Sequence, residues 1–211
     1  MNTLALWGAW GATAALLLIY ALYLAVLARG PAWRVHGRLR HDWLDAMSAQ
    51  PGTEVLAVQT LRNSVMTATM TASTAALGLM GALGFAAPAL RALSEAAGRP
   101  ALTPALACEV MVLLLLVVTL VSTTLSIRYY HHAGFVCAMP VGSAARARWM
   151  DTGRQHLRHA GVLYSVGLRS LVWVTPFLAG LAWAPAGPVL ALGLLFVLGW
   201  MERPTQPLAP A

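Results

Sequence analysis

Apolar residues fall in long unbroken runs along this chain, without the two-residue alternation of a half-buried strand. Residues 4–28 form the first run, enough helix to cross a hydrocarbon core about 30 Å thick. Arg29, Gly30 and Pro31 close it. No basic segment precedes it and no convincing small-residue cleavage site follows, so it reads as a retained first span and not a signal peptide. A basic stretch with Arg34, His36, Arg38, Arg40 and His41 comes next, followed by Asp42, Trp43, Leu44 and Asp45, and predicts a short amphipathic helix at the surface. Pro51 and Gly52 break the chain. Thr53 is placed to cap the next helix, with Glu54 in its first turn, where a carboxylate suits the helix dipole. A second span is predicted over 55–87, stopped by Pro88, and the loop 89–102 carries Arg91, Glu95 and Arg99. Thr103 and Pro104 form a cap with proline at the first helical position, and the third span covers 104–128. Residues 129–160 are the most polar stretch; helix resumes within it from about Ser143 and feeds a fourth span over 161–183. A turn rich in proline and glycine leads to a short apolar helix over 188–201, and the proline-rich tail 204–211 is predicted to be disordered.

A lipid-embedded chain must satisfy its backbone hydrogen bonds internally, which leaves helices or a closed barrel. The runs here far exceed the ~10-residue alternating strands of a barrel. The fold class is therefore all-α: one polytopic transmembrane helix bundle, residues 1–203, with four long helices plus a short fifth apolar helix. Composition agrees. The chain is 59% hydrophobic and 10% charged, against about 25% charged in soluble domains. All 14 basic residues are arginine, as a GC-rich coding sequence produces. The net charge of +7 calls for no nucleic-acid partner, because arginines of a membrane protein sit beside anionic headgroups. Cys108 and Cys137 lie toward opposite ends of one predicted helix, too far apart for a disulfide, and are expected to be free thiols.

Arginine placement sets the orientation. Arg29, Arg34, Arg38 and Arg40 follow span one, and Arg128, Arg146, Arg148, Arg154 and Arg158 follow span three, whereas the loop after span two holds only Arg91 and Arg99. The positive-inside rule puts the first and third loops in the cytoplasm and the N-terminus outside, in a bacterial cytoplasmic (inner) membrane. With the short helix as a fifth span the C-terminus is inside; with four spans it is outside.

Candidate chemistry is concentrated in spans two and three. Gln59, Asn63, Thr67 and Thr71 recur every four residues, and Thr74, Gly78 and Gly81 continue the face. Residues four apart share one side of a helix, so this is a polar and small-residue stripe. It suits a solute path, and it equally suits a helix–helix interface, where small and hydroxylated residues permit close approach. Thr119, Ser122, Thr123 and Ser126 form a matching patch on span three, placed to face the stripe. Arg62, Arg128 and Arg169 sit at the cytoplasmic ends of spans two, three and four. They suggest a basic vestibule that attracts anions, or separate arginines snorkelling to lipid phosphate or pairing with nearby carboxylates. Glu109 is the one carboxylate within a predicted span, toward its outer end, where an interfacial position accounts for it better than a proton or cation site.

The six histidines raise a third possibility, cofactor binding. His156 and His159 can share a face, while the adjacent His131 and His132 diverge. No HxxxH, CxxC or HExxH spacing with a supporting ligand set occurs, so neither a metal nor another cofactor is expected. There is also no nucleophile elbow, glycine-rich phosphate loop or paired carboxylate in an apolar setting, and no enzyme activity is expected.

Two stretches are distinctive: residues 56–64 (LAVQTLRNS) continuing to residues 72–75 (ASTA), and residues 126–135 (SIRYYHHAGF) followed by residues 145–149 (ARARW). They resemble the bacterial membrane-protein family called domain of unknown function 599, over roughly residues 40–203. The resemblance implies a multi-spanning membrane protein and brings no activity, cofactor or catalytic residue. The residues themselves point to a self-associating membrane protein with a polar route for ions or small solutes along spans two and three. The alternative is a structural or accessory subunit of a larger membrane complex. In either case the expected partners are the lipid bilayer and further protein copies or subunits.

Overall fold

The computed structural model describes residues 3–27, 31–95 and 103–201, and among these it contains helices and no strand. The helices are α1 (Thr3–Leu27), α2 (Pro31–Ala49), α3 (Glu54–Glu95), α4 (Pro104–Ala138), α5 (Ala144–Ala182) and α6 (Ala186–Met201). α1, α3, α4 and α5 are long and apolar enough to cross a membrane, and α6 is a shorter apolar helix. The all-helical, multi-span reading is therefore correct. The expected disorder of residues 204–211 lies outside the described residues.

Local chemistry explains several helix ends. Thr103 Oγ1 accepts from the Leu106 amide at 3.2 Å, and Pro104 opens α4. Ser143 does the same for α5, accepting from the Arg146 amide at 3.2 Å. Thr53 differs from expectation. Its carbonyl starts α3 by accepting from Ala57, but its hydroxyl turns back to α2, 2.5 Å from Met47 O and 2.8 Å from Gln50 O. It closes the end of the earlier helix instead of capping the later one. Gly52 and Gly142 supply the positive φ (87° and 81°) of the turns before α3 and α5.

Two boundaries are corrected. Pro88 does not stop the second long helix, which continues through it to Glu95, so part of the expected loop is helical. Proline removes one backbone bond, and long membrane helices accommodate that loss. Pro176 shows how: it lies inside α5, and the Thr175 hydroxyl donates at 2.8 Å to Val172 O, the carbonyl four residues before the proline. The polar stretch 129–160 is likewise no long loop, because α4 runs to Ala138 and α5 begins at Ala144. Tyr130, Ala133 and Cys137 bury one face of this part of α4, while Arg128, His131 and His132 stay exposed. Amphipathic burial keeps the segment helical despite its polarity.

The chain divides into two compact units, and α3, α4 and α5 contribute to both. Among the described residues the first comprises 3–27, 74–95, 103–118 and 169–201. Its core is apolar: Trp173, Phe177, Tyr20, Val112 and Leu116 are buried, with the Tyr20 and Trp173 rings 5.6 Å apart. α6 packs along α1. Among the described residues the second comprises 31–73 and 119–168, and its core holds Leu44, Leu61, Tyr130, Cys137 and Leu157. Nine of the eleven described arginines and all six histidines fall in its segments. Cys108 and Cys137 are buried free thiols, as the sequence indicates.

Candidate functional site

The second unit carries most of the polar chemistry. Arg146, only 2% exposed, lies on the first turn of α5. Its guanidinium donates to Cys137 O (3.1 Å), Met139 O (2.7 Å) and Ser48 Oγ (3.0 Å). The first two carbonyls belong to the end of α4, where helix C=O groups lack partners, so this side chain caps α4 and ties it to α2. Glu54 Oε1 accepts from the Val141 amide at 2.9 Å. Arg154 forms ion pairs with Asp45 and Asp151, each at 2.6 Å.

Two further groupings lie in the same unit. The Tyr129 ring packs against His156 at 5.5 Å and His159 at 5.3 Å, and His156 lies 5.4 Å from His132. The shared face expected for His156 and His159 is present. Among the described residues no group of three or more His, Cys, Asp or Glu side chains is arranged to hold a metal ion. Separately, the Arg40 guanidinium lies against the α5 backbone at Gly161, where a Cβ would overlap it.

The sequence-selected residues divide between surface and interior. On α3, Gln59, Asn63, Thr67 and Thr74 are exposed, while Thr71 is buried. The Thr67 and Thr71 hydroxyls donate to the carbonyls four residues back, Asn63 O and Thr67 O. The Gln59 and Asn63 amides have no hydrogen-bond partner among the described residues. On α4, Thr119, Ser122, Thr123 and Ser126 are all buried. Ser126 does not turn to the α3 stripe: its hydroxyl donates to Ala160 O on α5 at 2.8 Å. A Cβ at Gly167 of α5 would meet the Thr123 methyl at 2.6 Å. The α4 patch is therefore used between α4 and α5, because glycine and alanine on α5 admit close approach.

Arg62 and Arg128 are exposed in the second unit. Arg169 belongs to the first, half-buried, with its Nε donating to the Tyr20 hydroxyl at 3.1 Å. Glu109, also in the first unit, has its Oε2 buried without a hydrogen-bond partner among the described residues. Nearby, a small apolar crevice is lined by Trp10, Thr13, Pro104, Cys108 and Phe177.

Arg40 and Arg146 entered the sequence reading only as topological charge. A signal for each was present. Arg40 precedes Leu44 by one helical turn, on the face that anchors α2, and Arg146 follows the Ser143 cap by three residues.

Residues 9–207 match the model of a family described as protein of unknown function, DUF599. No curated protein and no solved structure matches the chain.

Proposed function

The chain belongs to the DUF599 family, and from that premise we propose that it is a non-enzymatic, self-associating protein of the bacterial cytoplasmic membrane that provides a polar route for ions or small solutes. The carrying observation is the outward turn of Gln59, Asn63 and Thr67 on the α3 stripe. Gln59 and Asn63 are exposed, and their amides are unpaired among the described residues. Hydrocarbon offers such groups nothing, so polar residues of a spanning helix favour protein or water. The α4 hydroxyls are already buried, which leaves the α3 stripe as the polar face open to a second copy. Copies meeting there line their contact with amides and threonine oxygens, and water can follow these groups.

In this reading the arginine-rich first and third loops face the cytosol and the N-terminus lies outside. Exposed Arg62 and Arg128 give the cytosolic mouth a positive field that favours anions. Flux of ions or small solutes from liposomes containing the purified chain tests the proposal. Wild type is expected to pass an ion under a gradient, and Asn63→Leu to reduce that flux while helicity is retained. Absence of flux under every gradient overturns it. Co-migration with a larger complex in mild detergent would instead favour an accessory subunit.

A further inference from the structure

We propose that the slot between α2 and α5 at Arg40 and Gly161 is a binding site for a phosphate oxyanion, carried either on a lipid headgroup or on a soluble molecule. This is independent of the α3 stripe and of any flux.

Arg40 is drawn into the fold by helix geometry. It lies four residues before Leu44 on α2, and residues at that spacing share a face. Leu44 is completely buried, so Arg40 is carried inward with it. Its guanidinium rests on the α5 backbone: a Cβ at Gly161 would overlap Nη1, Nη2 and Cζ together. Only a residue without a side chain leaves that space.

Nothing in the slot answers the charge. The neighbouring Ala160 carbonyl already accepts from Ser126 at 2.8 Å. Among the described residues Arg40 has no hydrogen-bond or ion-pair partner. Tyr130 is within electrostatic reach of the guanidinium and of Tyr164, and Ser64 lies beside the Tyr130 hydroxyl. These neighbours are neutral hydroxyls. The carboxylates of this unit are engaged elsewhere or point outward: Asp45 and Asp151 pair with Arg154, Glu54 accepts from Val141, and Asp42 is exposed.

A half-buried guanidinium without a partner is costly, because it forfeits water without a replacement. Its planar fork of donors matches the oxygens of a phosphate in a bidentate pair. The slot thus offers donors and positive charge and lacks an internal acid.

The test uses the full chain in detergent micelles with two probes, inorganic phosphate and phosphatidylglycerol, each titrated to a dissociation constant. Wild type is expected to bind at least one probe. Arg40→Gln and Gly161→Ala should each weaken that binding at least about tenfold. The exposed Arg148→Gln, with the same change in charge, should leave it unaltered. The tighter probe identifies the source, soluble phosphate or headgroup. Gly161→Ala displaces only the flexible end of Arg40, so it decides the question even if Arg40→Gln fails to fold. Binding of neither probe, or undiminished binding by Gly161→Ala, overturns the proposal, as does an equal loss in Arg148→Gln.

Discussion

The two units of this protein differ in how many polar groups they bury and pin, although each has a side-chain hydrogen bond between helices and a close glycine contact. In the first, Trp173, Phe177 and Tyr20 pack with aliphatic neighbours, and close approach depends on glycine: a Cβ at Gly187 of α6 would meet Thr13 Oγ1 of α1 at 2.8 Å and Pro176 O of α5 at 3.3 Å. In the second, an apolar core coexists with a buried arginine, and side-chain donors join helices at their ends and flanks. Lipid gives helices no hydrophobic reason to associate, so small residues and dense packing hold a membrane bundle together. In the second unit polar pins fix the register of helices that also share an apolar core.

That contrast is open to attack by substitution. Arg146→Ala carries the largest expected effect, because it uncaps α4 and leaves buried acceptors unpaired; a loss of about 3 kcal/mol in unfolding titrations in detergent is expected. Gly187→Val is the matching lesion of the first unit. Overpacking against the Pro176 backbone should cost about 2 kcal/mol and loosen α6. If Gly187→Val were neutral, close packing would not hold the first unit. Ser126→Ala removes the buried bond to Ala160 O, and about 1 kcal/mol should be lost in the same titration. Arg154→Ala breaks ion pairs that remain partly exposed, so about 0.5 kcal/mol is expected, shrinking further as salt is raised. A loss from Arg154→Ala equal to that from Arg146→Ala would mean that burial does not set the strength of the polar pins.

The helices were legible because lipid-length apolar runs leave few alternatives, and Thr103–Pro104 and Ser143 act as the caps their chemistry suggests. Their extents were less so. Pro88 reads as a stop from local propensity, yet the long helix passes through it, as α5 passes through Pro176. Residues 129–138 read as loop because their polar side chains mask a buried face at Tyr130, Ala133 and Cys137. The stripe on α3 was visible from its four-residue period, but its partner was not, since period alone cannot say whether Ser126 turns toward α3 or α5. Arg40 and Arg146 were hidden for a related reason. An arginine in a basic stretch looks like solvated charge until the facing glycine or helix end is known.

Self-association along α3 is tested most directly by disulfide cross-linking of Asn63→Cys in native membranes, where the buried Cys108 and Cys137 give a low background. A covalent dimer on mild oxidation is predicted, reversed by reductant and absent when the substitution is instead Phe135→Cys, at an exposed position of α4. A chain that stays monomeric while the introduced thiol of Asn63→Cys is fully accessible to a water-soluble maleimide would contradict it.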